Sequence, residues 1–382
     1  MSIYLDNAAT SFPKPDSVTD SVYHFMKHVG VNVGRGSYKR AQKAGEVVDE
    51  TRQLLCQLFN HCNPEHVVFT SNVTEGINLA IRGIVTAGGH VITSSVEHNA
   101  VWRCLKMLER DHNIQISTVP CDGDGITEPE KINELIQSDT QLIIFTHASN
   151  VLGTLQPIRE IGAIARKHHI PFLVDSAQTA GAYPIDMQAD NIDILAFTGH
   201  KSLLGPMGTG GLIVKTEGLI RPQKAGGTGR DSVSPYQPEY LPDYLEAGTL
   251  NVSGIVGLAA GIKFILNETV ESIRNKEKSL TAYALNQFRS LEKLNIYGPG
   301  NPEKMVGVIS FNISCVSAAE VSYVLDEVYE IMVRAGLHCS PTAHRLIGTE
   351  ATGTVRVSLG YFNQEEDIDL LVSALREIIS KI

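Results

Sequence analysis

The sequence has no cysteines at metal-binding or redox spacing. Its six cysteines, Cys56, Cys62, Cys104, Cys121, Cys315 and Cys339, are scattered over 382 residues, and no CxxC occurs. This speaks against a disulfide framework or a zinc site and leads us to expect a reducing, cytoplasmic setting. No apolar stretch approaches the roughly 18 residues of a membrane span. The opening "MSIYLDNAATSFPKP" lacks a basic segment followed by an apolar one, so no secretory signal is expected. Basic excess is missing too. A formal net charge of -10 argues against broad binding to nucleic acid or to an anionic membrane. No GxxxxGK[ST] occurs, and no GxGxxG joins a strand to a helix, so neither nucleotide fingerprint accounts for a phosphate site.

What is present is ordinary for a globular chain: 43% hydrophobic and 19% charged residues. The length exceeds what one core usually supports, which predicts two domains. From residue 66 to 215, short apolar runs ("HVVFTS", "GHVITSS", "QLIIFTH", "PFLVDSA", "DILAFTG") alternate with helical patterns ("TEGINLAIRGIV", "NAVWRCLKMLERD", "IREIGAIARKHH"). That alternation predicts a mostly parallel sheet covered by helices on both faces. A second, smaller α/β unit is expected from "MVGVISFNI", "AAEVSYVLDEVY", "GTVRVSLGYF" and the final helix. In that helix Ile368, Leu371, Val372, Leu375 and Ile379 share one face. We expect a large domain over residues 1–255 and a small one over 256–382. The first 15–20 residues are expected to pack with the small domain.

Ligands of such sheets gather where the carboxyl ends of the strands open, so the polar residues there are the candidates. Thr74 and Glu75 stand at a helix start, either as an ordinary cap or as an anion site. Asp175 and Gln178 end a strand too apolar to be exposed. Asp175 is either a turn-capping carboxylate or the partner of a buried cation such as a protonated heterocyclic nitrogen. His98 either caps a helix or stacks on a planar ring. Asn150 is a turn residue or a ligand. Lys201, in "GHKSLLGPMGTGGL", is either solvated or an amine held dry for chemistry. Pyridoxal 5′-phosphate requires this combination of phosphate anchor, stacking ring, acid and amine.

At these residues the sequence resembles the class V aminotransferase superfamily and, within it, the cysteine desulfurases. The blocks "YLDNAATSFPKP", "TEGINLA", "EHNA", "SNVLGT", "VDSAQTAG", "GHKSLLGPMGTGGL", "EAGTLN" and "RAGLHCSP" follow that family's order over nearly the whole chain. The short "RAGLHC" segment is more like the group II enzymes. The resemblance implies a fold-type I pyridoxal-phosphate transferase, with a large α/β domain and a smaller C-terminal one. It also implies roles. Lys201 would be the Schiff-base lysine, His98 the stacking ring and Asp175 the partner of the pyridinium nitrogen. Gln178 would bond the phenolic oxygen, with Asn150 near ring and substrate. Thr74, Thr198 and His200 would hold the phosphate. Thr249 would reach the phosphate of a neighbouring subunit, which implies a homodimer with shared sites. Arg356, with Arg334 assisting, would clamp the substrate carboxylate, a task suited to a planar guanidinium fork. The alternative for Arg356 is a surface ion pair.

Cys339 lies in "RAGLHCSPTAH", flanked by His338 and Arg334, where positive charge would favour a reactive thiolate; the alternative is a buried, inert thiol. The expected reaction converts L-cysteine to L-alanine, leaving a persulfide on Cys339 for an acceptor protein. Selenocysteine fits the same pattern, so a selenocysteine lyase, or another class V enzyme acting on a different amino acid, is the alternative. Leu337, Gly34 and Tyr38 depart from the family pattern, in which histidines are usual, and bear on substrate choice.

Overall fold

The structure, a computed structural model, describes residues 2–33, 36, 38–229 and 233–382. The chain starts with β1 (Ile3–Tyr4), α1 (Asp16–His28), α2 (Lys39–Phe59), β2 (Val67–Thr70) and α3 (Val73–Ile84). It continues through β3 (His90–Ser94), α4 (Asn99–His112), β4 (Gln115–Val119), α5 (Lys131–Leu135), β5 (Thr140–Thr146) and α6 (Ile158–Lys167). Next come β6 (Phe172–Asp175), β7 (Ile194–Thr198), β8 (Gly210–Val214), α7 (Val252–Glu268) and α8 (Val270–Phe288). The remainder is β9 (Leu294–Tyr297), β10 (Val308–Ile313), α9 (Ala318–Tyr329), β11 (Ile331–Met332), β12 (Arg334–Gly336), α10 (Pro341–Leu346), β13 (Thr354–Ser358) and α11 (Glu365–Ser380).

Seven strands form the large sheet in the order β2-β8-β7-β6-β5-β3-β4. Only β8 runs against its neighbours; the pairs among β7, β6, β5, β3 and β4 are parallel. Side chains alternate between the two faces of each strand. Ile143, Phe145, Phe172 and Val174 enter one core with α2, α6 and α7. Leu142, Ile144 and Leu173 enter another with α3 and α4. Continuing the alternation, Asp175 and Thr198 fall on the α3–α4 side at the ends of β6 and β7. The five expected strands all lie in this sheet. The edge strand β4, with the polar sequence "QISTV", carries too little apolar pattern to be recognised beforehand.

A four-stranded antiparallel sheet, β12-β13-β10-β9, builds the second core with α8, α9 and α11. Ile3 and Leu5 belong to this core, and β1 pairs with β11. Residues 16–28, by contrast, form α1, which packs on α7. The expected division after residue 255 falls inside α7, whose Val256, Leu258, Ile262 and Ile265 lie in the first core. Beyond the 81° bend between α7 and α8, Ile273 still belongs to the first core, and the packing changes hands within α8 before Leu280, which lies in the second core. The helix α7 is apolar on nearly every side, as a helix wrapped by protein must be. Among the described residues no single helix is long and apolar enough to cross a membrane.

Candidate active site

β7 ends in Thr198, and the chain then makes a tight turn that presents Lys201. The turn is fixed by backbone hydrogen bonds from Leu204 to Lys201 (2.8 Å) and from Gly205 to Gly199 (2.8 Å). Gly205 packs closely here: a Cβ would lie 3.1 Å from the Leu258 Cα of α7, tighter than an ordinary contact. The N-terminal segment clamps the same turn. Ser11 Oγ donates to the Lys201 carbonyl (2.8 Å), and Thr10 Oγ1 (2.9 Å) and Lys14 Nζ (2.8 Å) donate to the His200 carbonyl. No described group hydrogen-bonds the Lys201 amine. Burial pushes its pKa down to about 8, assisted by Arg356 and Arg334 and opposed by Asp175. Lys201 is half-buried rather than extended into solvent.

Asp175 is 2% exposed. Its Oδ1 accepts from the Ala177 backbone (2.9 Å), so the capping reading holds for one oxygen. The other takes no hydrogen bond from a described residue. Burial raises the Asp175 pKa, with Lys201 and the Ala177 bond opposing. His98 caps α4, its Nδ1 accepting from the Ala100 backbone (3.0 Å). Burial, then Lys201, Arg356 and Arg103, lower its pKa to about 4, so it is a neutral imidazole. Glu97, which the sequence reading passed over, is fully buried beside it. Its Oε1 accepts from Ser94 Oγ (2.5 Å) and the Thr146 backbone (3.0 Å).

The phosphate candidates divide. α3 is capped by Asn72, whose side chain accepts from Glu75 N (2.9 Å). The capping reading of Thr74 is thereby corrected: Thr74 stands exposed at the second helical position. Thr198 is buried, and its hydroxyl lies 3.5 Å from the Thr209 carbonyl. Its ladder partner Gly210 lets the Asn72 backbone come within 2.7 Å of where a side chain would begin. The start of α3 is thus seated beside the end of β7. His200 Nδ1 is buried without a partner, and burial, Lys201 and Lys14 lower its pKa to about 4. Gln178 Nε2 donates to the Ala8 carbonyl (3.2 Å). Thr249 is exposed and lines two cavities of about 320 and 870 Å³, the first shared with Ser71 and Glu75.

Arg356, on β13, is 2% exposed. It donates through NH1 to the Asn150 carbonyl (3.1 Å) and through NH2 to Asp6 Oδ1 (2.7 Å), while its Nε is buried without a partner. The expected alternative, an exposed strand arginine, is thereby ruled out. The exposed Arg334 reaches Asp6 Oδ2 at 3.5 Å. Asp6 was not among the sequence candidates, though "YLDNAAT" contains it. Cys339 is exposed and lies within reach of the Arg356 charge. Its neighbour His338 is corrected as a source of positive charge. It is buried, its Nε2 faces Thr354, and burial with Arg356 lowers its pKa to about 3. The positive charge at the thiol comes from arginine. Leu337 is exposed, as is Tyr38 before α2; Gly34 lies outside the described residues.

Donors and acceptors without partners among the described residues surround one amine at the carboxyl ends of parallel strands, and these groups make up the candidate site. The profile of the aminotransferase class-V family matches residues 3–371. A probable cysteine desulfurase from Methanothermobacter thermautotrophicus is 35% identical, covering 98% of this chain and 94% of that protein. A cysteine desulfurase from Escherichia coli O157:H7 is also 35% identical, covering 98% and 93%. The apo cysteine desulfurase of Thermococcus onnurineus NA1 superimposes with a TM-score of 0.94 at 30% identity, covering 100% of this chain and 95% of that one. The chain belongs to the aminotransferase class-V family, and within it to the cysteine desulfurases.

Proposed function

We propose that this enzyme is a pyridoxal 5′-phosphate-dependent cysteine desulfurase that converts L-cysteine to L-alanine and leaves a persulfide on Cys339. The observation that carries the reading is the meeting of three groups. The unpaired, desolvated Lys201 amine and the exposed Cys339 thiol both lie within reach of the Arg356 charge.

The residues present fit the cofactor. Lys201 offers an amine, Asp175 an oxygen without a partner, His98 a neutral ring and Gln178 an amide. The buried, unpartnered His200 Nδ1, with Thr74 and Thr198, would serve the phosphate. When bound, the cofactor supplies the electron sink that makes a Cα proton removable near neutral pH. Asp175 holds a positive charge opposite itself, and Lys201, with its lowered pKa, takes the proton from Cα and returns one. Arg356, assisted by Arg334 and Asn150, receives the substrate carboxylate, which would displace Asp6 from the guanidinium. The Cys339 thiolate attacks the substrate sulfur. The Cβ–S bond breaks as the S–S bond forms; its electron pair stays with Cβ, which takes up the proton given up by the Cys339 thiol and becomes the methyl of alanine, while the sulfur leaves as the sulfane of the persulfide. An acceptor protein would then take that sulfur. Exposure of Thr249 beside the two cavities supports its reaching into a second copy of the chain.

The test is Cys339→Ser together with borohydride reduction. The variant should release no sulfide from cysteine yet still yield a pyridoxyl adduct on Lys201. Undiminished sulfide release, or a protein that takes up no pyridoxal phosphate, sinks the reading.

A further inference from the structure

Cys339 is held in an unfavourable backbone conformation by its neighbours. His338 and Cys339 have φ of +46° and +59°, a region that side-chain-bearing residues avoid unless the surroundings impose it. Besides the His338 ring, which faces Thr354 of β13, the contacts on this pair come from the large-sheet part of the molecule. Ser340, fully buried, shares its hydroxyl proton between the Glu97 carbonyl (2.8 Å) and Asn150 Oδ1 (2.9 Å). Asn150 Nδ2 donates to the His338 carbonyl (2.5 Å). The Asn99 backbone donates to the Cys339 carbonyl (2.8 Å). The Asn150 carboxamide therefore grips the loop with both its ends, on either side of the cysteine. The backbone carbonyl of Asn150 accepts from Arg356, so the carboxylate clamp and the grip meet on one residue.

We propose that Ser340 and Asn150 form a latch that fixes Cys339 over the pocket, making Ser340 a positioning residue for sulfur transfer. What the latch accomplishes rests on the desulfurase reading above; its existence does not. Without the Ser340 hydroxyl, the strained pair relaxes, the loop leaves the surface of α4, and the thiol loses its place near the substrate sulfur.

Asn99 supplies a reporter. As the first residue of α4 it has no intrahelical acceptor, so protection of its amide from hydrogen exchange reports only the docked Cys339 carbonyl. In the Ser340→Ala holoenzyme, Asn99 should exchange about tenfold faster or more, the loss of one net hydrogen bond. The amides of Val101 and Trp102, which donate to the His98 carbonyl, should stay as they were. Alanine formation should show kcat down about tenfold with KM for cysteine within about twofold. Ser340→Thr, which keeps the hydroxyl, should restore both. Unchanged Asn99 exchange and unchanged kcat in Ser340→Ala overturn the proposal. If neither variant folds, the unsubstituted holoenzyme decides. An Asn99 amide protected like Val101 supports the latch, and one exchanging at the unprotected rate overturns it. If the parent enzyme makes no alanine from cysteine, the functional reading fails while the Asn99 measurement still stands.

Discussion

Lys201 and Cys339 both feel the charge of Arg356, yet they are held by different means. Lys201 sits on a turn at the end of a buried strand, backed by α7 and clamped by the N-terminal segment. Its side chain makes no hydrogen bond to a described residue, and its lowered pKa follows from burial. Cys339 sits outside the sheet on a loop with two positive-φ residues, and its place depends on hydrogen bonds from residues far away in sequence. The floor of the site is set by sheet topology. The roof is set by a handful of polar contacts, most of them made by the Ser340 and Asn150 side chains.

The largest effect should come from the floor. Lys201→Ala should lower alanine release by at least about a hundredfold to ten-thousandfold, the range expected when a positioned acid–base group is lost. The melting temperature should hold or rise, since a buried, unpaired amine is removed. A variant within tenfold of the parent would break the comparison, because the amine would then be dispensable.

Arg356 joins the two regions, and Arg356→Lys sharpens which one it serves. A lysine cannot donate to Asn150 and Asp6 through a planar fork. KM for cysteine should rise about 10- to 100-fold, as the loss of a charge-assisted pair of hydrogen bonds implies. Urea unfolding should show a loss of roughly 1–3 kcal/mol, because buried acceptors lose their donor. An unchanged KM would mean that the substrate carboxylate binds elsewhere.

Lys201 also makes the floor visible to pH. Reductive methylation of the cofactor-free protein should label Lys201 with a midpoint near pH 8, against about 10.4 for exposed lysines. Asp175→Asn should move that midpoint lower still, because the carboxylate is what holds the Lys201 pKa up against burial. The sign for stability follows. Between pH 8 and 10.5 the unfolded chain holds the proton that the folded chain has lost, so this residue's contribution to stability rises with pH there. A midpoint at or above 10 would remove the physical basis for Lys201 as a base.

The two regions were unequally legible in the sequence. Strand ends announce themselves, because an apolar run closing in "VDSAQ" or "TGHK" must put Asp175 and Lys201 at the mouth of a sheet. The Cys339 loop could be marked by residue type but not by contact. Nothing in "RAGLHCSPTAH" says that His338 turns inward to Thr354 and stays neutral, or that Ser340 reaches Glu97 and Asn150. Those partners lie about 190 and 240 residues away along the chain, and only the tertiary fold brings them together. Likewise, an apolar α7 reads equally well as the start of a new domain or as the buried centre of the old one.

Glu97 offers the smallest effect and the finest test, since it touches floor and roof at once. Its backbone carbonyl receives Ser340, whereas its side chain lies buried near Asp175, with Oε2 lacking any partner. Burial, with Asp175 adding to it, raises its pKa to about 8 from 4.5. The folded chain therefore binds a proton that the unfolded chain has released between those values. The associated stability is fully present below pH 4.5 and is lost as pH rises through 8. Glu97→Gln keeps the acceptor for Ser94 and Thr146 and leaves the backbone carbonyl untouched, but cannot ionise. Its urea midpoint should thus fall less than that of the parent between pH 5 and 8.5, with the two proteins similar at pH 5. An equal fall in both would show that Glu97 is not a neutral acid at the base of the site.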